Sequence, residues 1–324
     1  MPINTQLGIG DESVYGTAVT VNRFFPFASE SIARETGRVQ TKGRRTGQRV
    51  DRLDGRTPYT IGAAGSVEMP LYGRGSGIWL KYLLGSIATT GPVDTAYTHT
   101  ATVGPMSSSF TAQVNRPFGA AGATNQPFTW SGGKVAKWEL SCEAEGELTL
   151  KADLVFADES TVTSLATASY AANAECLTWV QAKATIATVD IPVTKWTVAC
   201  DNKLKTDRLF LRENTRRREP VEEDHREITV ELECDWDDLS HYTRFASATQ
   251  AGLTGEIIVT AKSITTIGVS TIPGLAINLP AVSFDEVGAN VDGPGVMAQK
   301  IKGLAVDAGS GAITMAYVSA DATP

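Results

Sequence analysis

The chain of 324 residues has few of the residues that usually carry metal or redox chemistry, and those few are scattered. Its three histidines are far apart, and its four cysteines form no CxxC pair; they are Cys142, Cys176, Cys200 and Cys234. Zinc needs about four convergent ligands, which this spacing does not supply. We therefore expect free thiols, no metal site and no cofactor.

Targeting and membrane signals are also lacking. The opening stretch MPINTQLGIGDES has neither the basic region nor the apolar core of a signal peptide. No apolar run reaches the roughly 18 residues needed to cross a bilayer. The formal net charge of −7 argues against a dedicated nucleic-acid binder. These features predict a protein that is made in the cytosol and has no membrane partner.

Motifs of common enzyme classes are missing as well. GRGSG at 73–77 precedes a helical pattern instead of following a strand into a nucleophile elbow. GIGDES at 8–13 is not a dinucleotide fingerprint, and the chain carries no Walker motif. Three separated histidines cannot supply a convergent nucleophile and base. The sequence predicts no catalytic residues and a protein that is not an enzyme.

What the chain does contain is strand-like alternation. KWELSC at 137–142 and its near-copy KWTVAC at 195–200 both place tryptophan, an aliphatic residue and cysteine on one face. ELTLKADL at 147–154 and REITVELECDW at 226–236 follow the same rule. Such patterns are typical of antiparallel strands with one buried and one wet face. We predict a mainly β (α+β) fold in which the cysteines are small core residues.

The order of these elements recurs in the two halves of the chain. Each half has an opening strand, a long charged loop, a strand, one short helix and closing strands; the helices are predicted in SGIWLKYLLGS at 76–86 and DLSHYTRFASA at 238–248. Any two β-rich segments can be aligned by chance. The long loop and the helix, however, recur at the same sequence separation between the halves, which favours a duplication. We predict two domains, 1–160 and 161–324. This comparison aligns the closing hairpin at 134–157 with 295–320. It makes KWELSC a late strand of copy one and KWTVAC the opening strand of copy two.

Two long loops carry clustered basic residues. They are ARETGRVQTKGRRTGQRVDRLDGRTP at 33–58 and KTDRLFLRENTRRREPVEED at 205–224, and the residues of interest are Arg38, Lys42, Arg44, Arg45, Arg49, Arg216, Arg217 and Arg218. In a monomer they would form solvated, mobile loops. In a polymer they would be docking arms, because loops of this length are uncommon unless they are functional.

The wet face of the predicted sheet is mostly acidic, and the lysines Lys137, Lys151 and Lys195 offset it only in part. Its members are Glu139, Ser141, Glu143, Glu147, Thr149, Asp153, Thr197, Glu227, Glu231 and Glu233. Such a face ordinarily keeps a sheet soluble. It becomes functional if the sheets close into a ring with this face inward.

Three segments carry a resemblance to a known family. They are GIGDESVYGTAVTVNRFFPFASESI at 8–32, SGGKVAKWELSCEAEGELTLKADLVFA at 131–157 and INLPAVSFDEVGANVDGPGVMAQKIKGLAV at 277–306. The chain resembles the tail tube (major tail) proteins of long-tailed bacteriophages over most of its length. The motifs are diffuse strand patterns and not an invariant signature.

The resemblance implies a fold and an assembly. The fold would be two tandem tail-tube-like β-sandwich or barrel domains, each with one short helix and a long loop, whose inner sheets are shared in a ring. Three chains would form a pseudo-sixfold ring, with a hexamer as the alternative. The wet-face residues would face the lumen and the basic loops would contact the next ring.

The resemblance also implies partners and a location. The stacked rings would form the hollow tail tube of the virion, assembled in the host cytoplasm, through which DNA passes transiently and without specific binding. Further partners would be the tape measure protein, the tail terminator and baseplate or distal tail proteins. A virion decoration or adhesin-type β binding module is the alternative, and it predicts a closed monomer with exposed aromatic patches.

Overall fold

Antiparallel strands form most of the chain, as a computed structural model shows for residues 4–237, 239–289 and 297–324. The mainly β prediction is confirmed. The α-helices are short: α1 (Ile78–Leu84), α2 (Ser240–Phe245) and α3 (Gln250–Leu253). The two predicted helices are thus present, and α3 adds a second helix to the later half. Asp238, with which the second predicted helical segment begins, and 290–296 in the closing segment lie outside the described residues.

The strands of the first half run from β1 to β11. They are β1 (Leu7–Glu12), β2 (Arg23–Phe25), β3 (Ser29–Glu30), β4 (Ala33–Gln40), β5 (Arg56–Pro70), β6 (Gly85–Val93), β7 (Ala96–Val103), β8 (Ser109–Asn115), β9 (Pro127–Glu143), β10 (Thr149–Phe156) and β11 (Asp158–Ser160).

The strands of the second half run from β12 to β21. They are β12 (Lys183–Ile186), β13 (Val189–Ile191), β14 (Val193–Asp201), β15 (Leu204–Lys205), β16 (Val221–Glu222), β17 (Glu227–Asp235), β18 (Thr254–Lys262), β19 (Gly274–Ala289), β20 (Ala298–Ala305) and β21 (Thr314–Ser319).

One antiparallel sheet runs through both halves, and we call it the inner sheet. Its order is β4–β5–β10–β9–β14–β17–β20–β19, and β3 extends β4 along the edge of β5. KWELSC lies in β9 and KWTVAC in β14, and the two strands pair directly, with Leu140 opposite Val198. The near-copies therefore meet at the junction of the halves.

Each half also contributes an outer sheet. The first is β2–β1–β8–β9–β11, and the second is β13–β12–β18–β19–β21–β7–β6. The long strands β9 and β19 belong to both layers: their first parts lie in an outer sheet and their last parts in the inner sheet. Within the described residues no barrel closes in a single chain.

The strand pairings repeat between the halves. The series β1, β2, β4, β5, β8, β9, β10 and β11 has the same neighbours as β12, β13, β14, β17, β18, β19, β20 and β21. The hairpin β6–β7 has no counterpart among the described strands of the second half, and its strand β7 pairs with β21. By these pairings, β9 and β10 correspond to β19 and β20. The sequence comparison matched them to the segment that contains β20 and β21, so it was displaced by one strand. The division near residue 160 stays a prediction.

The core lies between the layers and is centred on α1. The ring of Trp79 lies 5.6 Å from that of Phe25 and 5.8 Å from that of Phe110. On the inner sheet, the indole Nε1 of Trp138 donates to the carbonyl of Leu83 at 3.1 Å. Gly85 ends the helix at φ +93, where a Cβ would lie 2.4 Å from a backbone oxygen. Burial of α1, in which every residue except Lys81 is buried, and of alternate strand residues is the main stabilising term here.

The first long loop differs from its prediction. Strands β4 and β5 pair from Thr36–Thr60 to Gln40–Arg56, so only 41–55 forms a loop at the tip of a projecting ribbon. The ribbon was not recognisable as strand because most of its side chains are exposed on both faces. Without a buried face, period-two alternation in hydrophobicity has no cause.

Trp196 provides a test of which strand face is core. It is 2% exposed, so Trp196→Ala should lower the free energy of unfolding by about 3–5 kcal/mol through lost burial and a cavity. The control is Thr197→Ala on the opposite face of β14, which should change it by no more than about 0.5 kcal/mol. Urea unfolding measures both. Equal effects would contradict the assigned orientation of the strand.

Candidate functional site

The polar face of the inner sheet brings together the predicted wet-face residues. Cross-strand register places Glu139, Ser141, Glu143, Thr149, Asp153, Thr197, Glu227, Glu231 and Glu233 on one side. All are exposed or half-buried, and their strand neighbours face the core. Glu147 lies before the start of β10 and bridges to Thr178, at the end of the sheet.

Acidic and basic residues alternate along this face. One row runs Glu143, Lys195, Glu233, Lys300 across four strands, and a second runs Glu68, Lys151, Glu139. Five members of the face were missed from sequence: Glu68, Asp201, Glu286, Lys300 and Lys302. The alternation in AQKIKGLA at 298–305 places Lys300 and Lys302 on the same strand face. This pattern could have identified both lysines as members of the polar face.

The face is acidic overall, but less so than the sequence suggested. Among the described residues the paired rows hold ten carboxylates and five lysines: Glu68, Glu139, Glu143, Asp153, Asp201, Glu227, Glu231, Glu233, Asp235 and Glu286, against Lys137, Lys151, Lys195, Lys300 and Lys302. Opposite charges in register stabilise neighbouring strands modestly. The lysines sit between acids, so the surface offers no cluster of basic residues to a phosphate.

Ion pairs hold these rows in place. The Lys300 Nζ lies 2.5 Å from the Glu231 Oε1, and the Lys137 Nζ lies 3.0 Å from the Asp201 Oδ2. The Glu231 carboxylate raises the pKa of Lys300. Burial alone would raise the pKa of Asp201, but hydrogen bonds from the Lys203 N–H and the Lys137 ammonium outweigh it and hold that pKa below its usual range. Lys300 and Asp201 therefore stay charged near neutral pH.

Cys142, Cys200 and Cys234 lie on the opposite face, in the core, whereas Cys176 is only half-buried and lies beside Glu147. Burial raises the pKa of Cys142 and of Cys234 to about 11 and that of Cys200 to about 12, which keeps the thiols protonated and unreactive. In the described part of the chain, no group of three or more His, Cys, Asp or Glu side chains could hold a metal ion. None of the described helices combines the length and apolar character needed to cross a membrane.

The inner sheet has an unpaired strand at each end. At one end, β3 and β4 pair only with β5 among the described strands. At the other end, residues 284–289 of β19 pair only with β20. Exposed edges of this kind present unsatisfied N–H and C=O groups to other chains.

The basic residues of the first loop stand on the ribbon, away from the core. Arg38 lies in β4, whereas Lys42, Arg44, Arg45 and Arg49 lie in the tip and are exposed. Within the tip, only Arg45 among these four forms an ion pair in the described structure, at 3.9 Å from Asp54. The tip therefore presents a net positive surface.

The second loop is attached to the first half of the chain. Arg217 is 7% exposed; it pairs with Glu35 and donates to the carbonyls of Ala63 at 3.4 Å and Phe156 at 3.3 Å. The buried Lys134 pairs with Glu219 at 2.7 Å. Arg216 pairs with Asp158 at 2.8 Å, while Arg218 is exposed. Arg217 thus anchors the loop within the chain and does not extend toward a neighbour.

Replacement of Arg217 tests this anchoring. Arg217→Ala should lower the free energy of unfolding by about 2 kcal/mol or more, because Glu35 and buried carbonyls lose their donor. Trypsin should then cleave residues 206–220 faster. The control is the exposed Arg218→Ala, which should stay within about 0.5 kcal/mol of the parent protein. Similar protease resistance in both variants would show that Arg217 does not hold the loop.

A comparison with known families matches nearly the whole chain. The family model described as phage tail tube protein matches residues 2–317. No curated protein matches the chain significantly.

Proposed function

The chain belongs to the phage tail tube protein family, and we propose that its copies form rings that stack into a hollow tube for DNA. Membership makes it a structural protein of the phage tail, and its mainly β architecture agrees with this. The finer steps, namely ring closure, stacking and passage of DNA, are the proposal.

The observation that carries ring closure is the pairing of β9 with β14. This seam joins β9, a late strand of the first half, to β14, which follows β12 and β13 in the second half. The equivalent strands at the two ends of the sheet are β19 and β3–β4, and both edges are unpaired among the described residues. A second copy could therefore repeat the internal seam by pairing its β3–β4 with β19 of the first.

The internal register predicts which residues would meet. Glu68 is opposite Lys151 and Ser29, as Glu231 is opposite Lys302 and Thr197. The proposal adopts this register, in which Ser29 is equivalent to Thr197. By the same rule Gly288 is equivalent to Ser141, since these residues lie opposite Lys300 and Thr149.

Within one chain Ser141 is opposite Thr197. Ser29 should thus lie opposite Gly288 of a neighbouring copy.

Repetition of one seam favours a closed ring. Each chain holds two equivalent halves, so three chains would form a pseudo-sixfold ring, and six chains would be the alternative. Closure removes both exposed edges, which otherwise invite irregular aggregation. The layer with α1 covers one face of the inner sheet, so the polar face would line the bore.

The polar face suits the passage of DNA. Its excess of carboxylates repels phosphate, and its lysines are held between acids, so few counterions would be released by contact with the duplex. DNA would pass without a stable complex. The tape measure protein, tail terminator and baseplate or distal tail proteins would be the further partners in the virion, with assembly in the host cytoplasm.

Engineered disulfides test both the seam and the number of chains. In a Cys176→Ser background, Ser29→Cys with Gly288→Cys should cross-link neighbouring copies, because directly opposed residues in a sheet lie within the reach of a disulfide. Non-reducing electrophoresis of assembled protein should end at a covalent species of three chains.

Two controls accompany this experiment. Ser141→Cys with Thr197→Cys should form its disulfide within one chain, and each single cysteine variant should remain a monomer on the gel. A ladder that ends at six chains would favour the hexamer. Tubes without any cross-link between copies would rule out the proposed seam.

Charge reversal tests the basic tip. Replacement of Arg44, Arg45 and Arg49 by Glu should leave folded rings but block tube growth, because the tip would no longer attract acidic ring surfaces. Electron microscopy and sedimentation measure ring and tube fractions. The matched control, with Lys at the three positions, should retain growth. Normal tubes from the Glu variant would remove the docking role of the tip.

A further inference from the structure

The second long loop, 205–224, carries three consecutive apolar residues that are exposed to solvent. Leu209, Phe210 and Leu211, which we call the apolar tip, are 44%, 50% and 108% exposed. Hydrogen bonds keep the loop ordered: the Arg218 N–H donates to the Arg208 carbonyl at 3.0 Å. Both guanidinium groups lie 5.8 Å from the centre of the Phe210 ring. Three adjacent large apolar residues held outward are typical of an interaction surface.

A cleft of matching character lies between the β12–β13 hairpin and α2, and we call it the β13–α2 cleft. Its volume is about 310 Å³. Apolar side chains form its wall, including Ile186, Val189 and Pro192, and Asp190, Asp235 and Asp237 also line it. Asp235 and Asp237 are exposed and complement Arg208, Arg212 and Arg218 around the apolar tip, whereas Asp190 pairs with Lys183 at 2.8 Å and Arg244 also lines the cleft.

The cleft is open in the second half only. In the first half, the equivalent space is filled: α1 buries Trp79 and Tyr82, and the Tyr82 hydroxyl donates to Asp11. In the second half, α2 buries no residue. The Arg244 Nε and Gln299 Nε2 are buried at the cleft without a hydrogen-bond partner in the described part of the chain.

The apolar tip and the cleft lie at opposite ends of the inner sheet. The loop that carries the tip joins the end of β14 to the start of β17, at Asp201 and Glu227. The cleft lies at the other ends of these strands, beside Pro192 and Asp235. Nine-residue strands span roughly 30 Å. The apolar tip therefore faces away from the cleft of its own chain.

We propose that the apolar tip of one copy inserts into the β13–α2 cleft of a second copy in the next ring. This inference rests on the proposed tube function and deepens it. Each chain has one tip and one cleft of this kind, so the contact is one-to-one and head-to-tail. Such heterologous contacts build open stacks. The apolar side chains would supply burial, and the flanking arginine and aspartate residues would set the register.

The first test is Leu211→Glu. The variant should form rings, scored by the Ser29→Cys and Gly288→Cys cross-link, but its critical concentration for tube growth should rise at least about tenfold, because a central apolar contact is lost. Val162→Glu is the matched control, since Val162 is 92% exposed but outside both surfaces, and it should assemble normally. Normal tube growth by Leu211→Glu would overturn the inference.

The second test is a direct cross-link. In the Cys176→Ser background, Leu211→Cys with Val189→Cys should form disulfides between chains of successive rings, in tubes and not in isolated rings. Tubes that lack this cross-link and tolerate Leu211→Glu would overturn the apolar tip contact alone. Absence of the ring cross-link and of tubes from the parent protein would instead overturn the proposed function, and the inference with it.

Discussion

The antiparallel seam between β9 and β14 is the contact on which the rest of the structure depends. It joins the two halves into one inner sheet, with Leu140 opposite Val198 on the buried face and Ser141 opposite Thr197 on the polar face. Because the same strand neighbours recur on both sides of the seam, the sheet ends in two edges that are equivalent to the strands already paired inside it. The proposed contact between copies would repeat this pairing at those two edges.

Local sequence patterns correctly predicted the strands that have one buried face and one exposed face. The alternation around Trp138 and Trp196 identified strands and their orientation, because burial acts on every second residue. The ribbon formed by β4 and β5 was missed because it is exposed on both faces. The closing strands were misaligned by one strand, because the hairpin β6–β7 is present in the first half without a counterpart among the described strands of the second.

The candidate surfaces depend on contacts between segments that are distant in the sequence. Such contacts leave no local pattern, so the sequence did not predict these surfaces fully. In the sequence Arg217 is one of three adjacent arginines and has no feature that distinguishes it from the others. In the structure it is buried, because it donates hydrogen bonds to the carbonyls of Ala63 and Phe156 in the first half. Lys300 and Lys302 belong to the polar face only through the register of β20 with β17. The β13–α2 cleft arises because α2 buries no residue, whereas α1 fills the same position in the first half with buried aromatic residues.

Electron cryomicroscopy of assembled protein is the most direct measurement of ring closure through a repeated seam. We expect rings of three chains in which β3–β4 of one copy pairs with β19 of the next and the Glu143, Lys195, Glu233 row lines the bore. A bore lined by the face that carries Trp138 and Trp196, or neighbouring chains that leave both edges of the inner sheet unpaired, would contradict this arrangement.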